Sequence, residues 1–182
     1  MLHARQSLVP VALGAALLLA ACGGAADTAE EAAADVAADA SAMMDEAPAM
    51  EMLVSTLSGA AERPEPVTTK AQAEATYMVY ADSIGYVVNG LELVGATAVH
   101  IHRGGAEEAG PVMATLFSNP DGVDIANGSV ALGTITRETA LAEGVTFDDL
   151  REAVRTGAAY TNIHTKANPR GELRAQTSSN PM

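Results

Sequence analysis

The 182-residue chain has one cysteine, no tryptophan and few basic side chains: 10 Lys and Arg against 23 Asp and Glu, a formal net charge of −13. A single cysteine excludes an internal disulfide. The shortage of positive charge argues against nucleic-acid binding and against docking on anionic lipid through basic residues. The sequence also has no H-E-x-x-H, no phosphate-binding glycine loop and no Ser-His-Asp order. These absences favour a non-enzymatic role over an enzymatic one.

The N-terminal residues have the pattern of an export signal. Arg5 precedes an apolar run over residues 8–21, shorter than the roughly 20 residues of a comfortable membrane-spanning helix. The segment L-A-A-C-G then ends this run and resembles the bacterial lipobox. The resemblance implies a signal peptide at 1–21, cleavage before Cys22, and acyl chains on the sulfur and amine of that cysteine. Two such linkages exceed the one-chain limit for stable anchoring.

The lipobox resemblance also predicts location. It places the protein in the cell envelope, outside the cytoplasm and anchored to a membrane by lipid. Gly23 follows the cysteine, which by resemblance to enteric lipoproteins favours the outer membrane. The alternative is a buried N-terminal helix in which Cys22 occurs by chance.

Residues 22–52 predict a disordered tether. The stretch after the cysteine holds eight acids, no Lys or Arg and no aromatic residue. Such a composition cannot bury enough apolar surface to offset the entropy of ordering. We therefore expect a spacer that holds the domain away from the lipid headgroups.

Four methionines lie near the end of this tether: Met43, Met44, Met50 and Met52. Thioethers are soft ligands that suit Cu(I). Their spacing defines no coordination geometry, however, so biased composition or packing against the domain edge is the favoured interpretation.

From residue 53 onward, short apolar-alternating runs are separated by Gly, Pro, Asn and Asp. The pattern predicts an all-β domain, an antiparallel β-sandwich or barrel, with one short helix. The domain is expected to span 53–177, with a tail at 178–182. The predicted strands are 53–58, 72–81, 84–93, 97–103, 111–117, 129–136, 158–165 and 171–177.

The helix is predicted at 147–155, because Thr146 is a suitable N-cap and Gly157 a suitable C-terminal stop. Its apolar stripe consists of Phe147, Leu150 and Val154. Two segments, N-P-D-G at 119–122 and N-P-R-G at 168–171, have the Asn, Pro and Gly spacing of type I turns. We expect a chain reversal at each of them.

The domain has only three histidines, and each lies in a predicted strand. His100 and His102 alternate with apolar residues and therefore share one face. Two imidazoles at i and i+2 can chelate one ion. A third, from His164 on a neighbouring strand, would complete a three-nitrogen site for Cu(II) or Zn(II). The alternative is that all three are ordinary half-exposed histidines of a sheet.

Two carboxylates are further candidates for this site. If the turn at 168–171 pairs the last two strands, Glu172 faces His164 across them. Glu172 could then be a fourth ligand, or a partner that orients His164. Glu62 is a second candidate, although no local pattern determines where it lies.

Several segments, in order, resemble one known family, the CHRD domain first described in chordin. The opening L-S-G-A-A-E-R-P at 57–64 is similar to its L-S-G-x-x-E-x-P-P motif, with R-P-E-P at 63–66 as a departure. The other similar segments are Gly90-Leu91, A-V-H-I-H-R-G at 98–104, G-P-V at 110–112, Y-T-N-I-H-T at 160–165 and N-P-R-G-E-L-R-A-Q at 168–176. The resemblance implies an immunoglobulin-like or superoxide-dismutase-like fold and says little about activity.

Three functional hypotheses follow. The leading one is a lipid-anchored domain that binds a ligand or a protein partner, with copper or zinc at His100, His102 and His164. The second is a metal-dependent enzyme similar to superoxide dismutase, since a three-histidine ion keeps an open position. The third is a purely structural adhesion module, in which the histidines only stabilise a hairpin.

Overall fold

The structure is a computed structural model that describes residues 50–177. The predicted signal peptide, Cys22, the tether up to residue 49 and the tail at 178–182 lie outside the described residues. Within them, no helix has the length and apolar character needed to cross a bilayer.

The described chain forms strands that pair only antiparallel, together with one α-helix and one short 3-10 helix. This confirms the predicted all-β class with a single short helix. The elements are β1 (Glu51–Leu57), a 3-10 helix (Gly59–Ala61), β2 (Gln72–Val79), β3 (Ser83–Arg103), β4 (Val112–Thr136), α1 (Phe147–Thr156), β5 (Ala159–Thr165) and β6 (Leu173–Gln176). Strand β1 begins two residues before its predicted start.

The sheet curls until its two ends meet. Its strand order is β1-β2-β3-β5-β6, with β4 paired to β3 alone. The first half of β3 pairs with β2 and its second half with β5. An isolated bridge between Ser58 and Arg174 joins the end of β1 to β6, with N–H···O distances of 3.1 and 3.2 Å. The result is a nearly closed barrel.

Strand β3 covers two predicted strands, 84–93 and 97–103, because the chain bends between them without leaving the sheet. Glu92 and Gly95 adopt positive φ values of 53° and 66°. The pairing with β4 shifts register between Leu93 and Ala96. Bulges of this kind bend a strand and increase its twist, so one continuous strand contributes to both halves of the barrel.

The turn predicted at 119–122 is wrong as a chain reversal, since this segment lies inside β4. In β3, one residue separates Ala96 from Ala98. In β4, four residues separate their partners, Val123 and Ser118, so β4 has extra residues at this point. The side chain of Asn119 accepts from the backbone N–H of residue 121 at 3.1 Å. The Asn-Pro-Asp-Gly chemistry therefore makes a local bulge, and predicted strands 111–117 and 129–136 become one.

The second turn and the helix agree with their predictions. The N–H of Gly171 donates to the carbonyl of Asn168 at 3.1 Å, which closes the turn between β5 and β6. Helix α1 begins after Thr146, whose side chain forms a reciprocal capping box with Asp149, and it ends at Gly157 with φ of 72°. Its buried face consists of Phe147, Leu150, Ala153 and Val154.

The core consists mainly of aliphatic side chains, together with Tyr77, Met113 and Phe147 of α1. Tyr77 is fully buried, and its hydroxyl shares a hydrogen bond of 2.7 Å with Thr161. The other large, fully buried apolar side chains are Leu53, Leu57, Ile84, Val88, Leu93, Ile101, Met113, Leu150, Ile163 and Leu173. This core holds β3 and β5 side by side, and those two strands carry the histidines.

Candidate metal centre

The pairing of β3 with β5 brings the three histidines onto one face. Val99 and Ile101 of β3 are fully buried in the core, so His100 and His102, which alternate with them, lie on the outer face. Strand β5 places His164 opposite Ala98, which lies two residues before His100 in β3 and therefore on the same face. The cluster therefore results from the alternation of side chains along β3 and from the register between β3 and β5.

The three rings are close to one another. Ring centroids lie 4.9 Å apart for His100 and His164, 5.6 Å for His100 and His102, and 5.9 Å for His102 and His164. One ring nitrogen from each residue lies within 4.8 Å of the other two. The structure therefore brings the three predicted imidazoles together at one place on the barrel.

Backbone carbonyls determine which nitrogen is free in two of the rings. Nδ1 of His102 lies 2.9 Å from the carbonyl oxygen of Gly110, and Nδ1 of His164 lies 3.1 Å from that of Pro169. A carbonyl can only accept, so each Nδ1 carries the proton and each Nε2 keeps its lone pair.

Three buried nitrogens in this cluster lack a hydrogen-bond partner among the described residues. They are Nε2 of His102, Nε2 of His164 and Nδ1 of His100. A buried polar atom without a partner costs about 1–3 kcal/mol. Three such atoms, one from each ring of the cluster, form a set of lone pairs of the kind a metal ion satisfies.

The environment keeps the imidazoles neutral. Burial lowers the pKa of His100 to about 4, with the neighbouring charges of His164 and His102 acting in the same direction. Burial also lowers the pKa of His102 and of His164, against the opposing effect of their backbone hydrogen bonds. Neutral imidazole is the form that binds metals, so the cluster is in its ligand state at neutral pH.

The ring of His102 is the first of three stacked planar groups, followed by the ring of Tyr160 and the guanidinium of Arg174. The ring of Tyr160 lies parallel to that of His102, with centroids 4.9 Å apart and 8° between the planes. The guanidinium of Arg174 lies over the ring of Tyr160, 3.5 Å from its centroid. Arg174 is 2% exposed and donates to the carbonyls of Gly105 and Glu108 at 2.7 and 2.8 Å. It thereby fastens the β3–β4 loop over this side of the site.

Tyr160 and Arg174 could not be recognised as supporting residues from the sequence. Arg174 alternates with apolar residues in β6 and therefore resembles an ordinary exposed position of a half-buried strand. The available signal was an aromatic residue, Tyr160, at an alternate position of β5 and a basic residue, Arg174, at an alternate position of β6. That these two side chains lie together follows only from the strand register, in which Arg174 pairs with Asn162.

The whole barrel, apart from the first residues of β1, matches one known family. The family model of the CHRD domain matches residues 53–177. The chain belongs to the CHRD domain family. Searches of the curated proteins and of the solved structures found no match.

Glu172 of this CHRD domain does not join the histidine cluster, which among the described residues contains only the three imidazoles. Its carboxylate accepts hydrogen bonds from Thr165 at 2.6 Å, Thr69 at 2.7 Å and Asn168 at 3.1 Å. Burial raises the pKa of Glu172, but these donors outweigh it and the net pKa is lowered. Glu172 thus ties the β1–β2 loop to the turn that carries Pro169.

Glu62 also lies outside the cluster, in the β1–β2 loop directly after the 3-10 helix. It is 3% exposed, and its Oε1 accepts from Nδ2 of Asn162 at 2.6 Å. Burial raises the pKa of Glu62 to about 7, although the hydrogen bond from Asn162 and the charge of Arg174 lower it. A Cβ at Gly171 would lie 2.7 Å from Oε2 of Glu62, so only glycine fits against this pair. The two carboxylates of the family's motifs hold loops in place around the site.

Proposed function

We propose that this CHRD domain binds a copper or zinc ion through His100, His102 and His164. The observation that carries the proposal is the set of three buried ring nitrogens without a hydrogen-bond partner among the described residues. Neutral imidazole nitrogens suit both ions. The carbonyls of Gly110 and Pro169 supply the outer contacts that usually orient metal-bound histidines.

The spacing of the nitrogens suits a site that tightens when an ion enters. Zinc–nitrogen bonds of about 2.0–2.1 Å in a tetrahedral site place the nitrogens roughly 3.4 Å apart. The three ring nitrogens lie within 4.8 Å of one another, a separation from which small rotations of the rings can bring them onto one ion. With three ligands among the described residues, the ion would keep one position for water or a further ligand.

Calorimetric titration of the full chain with Cu(II) and with Zn(II) tests the proposal. We expect about one ion per chain, and we expect His100→Ala and His164→Ala each to reduce binding strongly, since each removes one of three ligands. Thr115→Ala is the matched control, because Thr115 is exposed and pairs with His100 on β4 without offering a nitrogen. No heat with either ion, or unchanged binding in both histidine variants, would contradict the proposal.

We further propose that Cys22 is lipid-modified and that the acidic stretch after it tethers the domain outside the cytoplasm. The support is the lipobox resemblance and the composition of the stretch that follows Cys22 up to the start of β1 at Glu51. In bacterial cells, labelled palmitate should enter the wild-type protein, and Cys22→Ser should abolish both labelling and membrane retention. Gly23→Ala, which keeps the cysteine, is the control. Membrane retention without label in Cys22→Ser would contradict the proposal.

A further inference from the structure

Three methionines share the outer face of β1 and β2. Met52 of β1 and Met78 of β2 are direct cross-strand partners. Met50 lies two residues before Met52 and therefore on the same side of the chain. Met50 and Met52 are 52% and 61% exposed, although apolar side chains gain free energy by burial. In the sequence, Met50 and Met52 form a group with Met43 and Met44, whereas the structure adds Met78, which is distant in sequence.

Neighbouring residues hold these methionines on that face. The hydroxyl of Tyr80 donates to Sδ of Met50 at 3.2 Å, which confirms that Met50 lies beside the end of β2. On the other side, Gly85 of β3 pairs with Met78, and a Cβ there would lie 3.0 Å from the terminal methyl of Met78. The absence of that Cβ lets the Met78 side chain lie flat on the sheet.

We propose that Met50, Met52 and Met78 form a thioether site for Cu(I), separate from the histidine cluster. Direct cross-strand partners have Cβ atoms about 4.5–5.5 Å apart. The three rotatable bonds of each methionine let sulfurs at this spacing converge on one ion. Thioethers select Cu(I) over harder divalent ions. The net charge of −13 further raises the concentration of cations near the surface.

Competition against a colorimetric Cu(I) chelator, under anaerobic and reducing conditions, measures this site in the full chain. To exclude the imidazoles of the domain and the thiol of Cys22, the protein carries His100→Ala, His102→Ala, His164→Ala and Cys22→Ser. We expect one Cu(I) to remain bound. Met52→Leu and Met78→Leu should each lower the affinity for Cu(I) at least about tenfold. Loss of a residue that only orients a ligand already has an effect of about this size, and loss of a ligand should have no smaller one. Loss of all Cu(I) binding in the histidine variant would overturn the proposal.

The double variant Met43→Leu with Met44→Leu is the control and should leave the affinity unchanged. If this variant loses the ion while Met52→Leu retains it, the acidic stretch holds the Cu(I) and the proposal is wrong. Because the Cu(I) site does not use the imidazoles, its failure would leave the proposed divalent site untouched, and the reverse also holds.

Methyl NMR of the wild-type chain avoids any folding defect in the variants. With methionine methyls labelled with carbon-13, Ag(I) serves as a redox-inert substitute for Cu(I). We expect the methyl signals of Met50, Met52 and Met78 to shift together at one equivalent or less. The signal of Met113, which is fully buried, should stay in place as an internal reference. Ag(I) that leaves the signals of Met52 and Met78 unchanged would overturn the proposal.

Discussion

The Nδ1–H of His102 donates to the carbonyl oxygen of Gly110 at 2.9 Å, across the loop that connects β3 to β4. The same glycine donates its N–H to the hydroxyl of Tyr160 at 3.1 Å. Gly110 therefore links a proposed ligand to the ring that stacks on it. The conformation of this loop sets the tautomer and the orientation of His102.

The first prediction concerns Gly110→Ala. A Cβ at this position would collide with the carbonyl oxygen of Arg103, so the loop must shift and His102 loses its partner. We expect copper or zinc affinity to fall by about 10–100-fold, the usual effect of losing an outer-shell contact. Gly105→Ala in the same loop is the control, because its Cβ would have nothing closer than 3.9 Å. Chelator competition measures both, and wild-type affinity in Gly110→Ala would refute this role.

The second prediction concerns Arg174→Lys. Lysine keeps the charge but loses the planar group that lies over Tyr160 and donates to two carbonyls. Because hydrogen bonds from charged groups contribute about 1.5–3 kcal/mol, we expect the free energy of unfolding to fall by about 2 kcal/mol. Urea denaturation measures it. Arg155→Lys, which alters an exposed ion pair with Glu51, should change it by less than about 1 kcal/mol. Equal effects of the two variants would contradict the stacking argument.

The third prediction is a pH dependence that originates at Glu62. Its pKa is about 7 in the folded protein and near 4.5 ordinarily. Between these values the folded state binds more protons than the unfolded state, so the free energy of unfolding falls as pH rises from 4.5 to 7. Glu62→Gln keeps an acceptor for Asn162 and removes this contribution.

Urea denaturation of the wild type and Glu62→Gln at pH 4.5, 6 and 8 checks this dependence. We expect the variant to gain about 2 kcal/mol relative to the wild type between the first and last pH, after allowance for solvent screening. Taking the difference between the two proteins cancels the histidines, whose lowered pKa values act in the opposite direction. Parallel stability curves for the two proteins would show that Glu62 ionises normally.

The fourth prediction concerns metal removal. An ion that binds only the folded state at 100 times its Kd should raise the free energy of unfolding by about 3 kcal/mol. Thermal denaturation of the full chain with Zn(II) and then with excess chelator should show the melting temperature rise and return. His164→Ala should show no rise. A rise of equal size in that variant would place the ion elsewhere.

Features encoded by neighbouring residues could be predicted from the sequence. Helix α1 was predicted to within one residue because Thr146 and Gly157 define its ends locally. The register of β5 and β6 followed from the turn at 168–171, which brings Ile163 opposite Leu173. Strand alternation likewise placed His100 and His102 on one face.

Features that depend on distant segments could not be predicted. No local pattern indicates that β5 pairs with β3, which decides whether His164 joins the other imidazoles. Glu172 directly precedes β6, but one oxygen of its carboxylate accepts from Thr69, in a loop about a hundred residues earlier, and the other accepts from Thr165 and Asn168. The burial of Arg174 depends on the β3–β4 loop in the same way.

The bulge at 119–122 has a consequence for how the molecule behaves at high concentration. Among residues 50–177, β4 has a strand partner on one side only, although Ala142 donates its N–H to the β4 carbonyl of Met113. An unpaired strand edge is a template for adding another chain. The bulge interrupts this strand: Pro120 within it has no backbone N–H, Asp121 adds a charge, and the bulge increases the local twist. The irregularity that keeps β4 from being a flat strand thus protects the barrel against edge-to-edge aggregation.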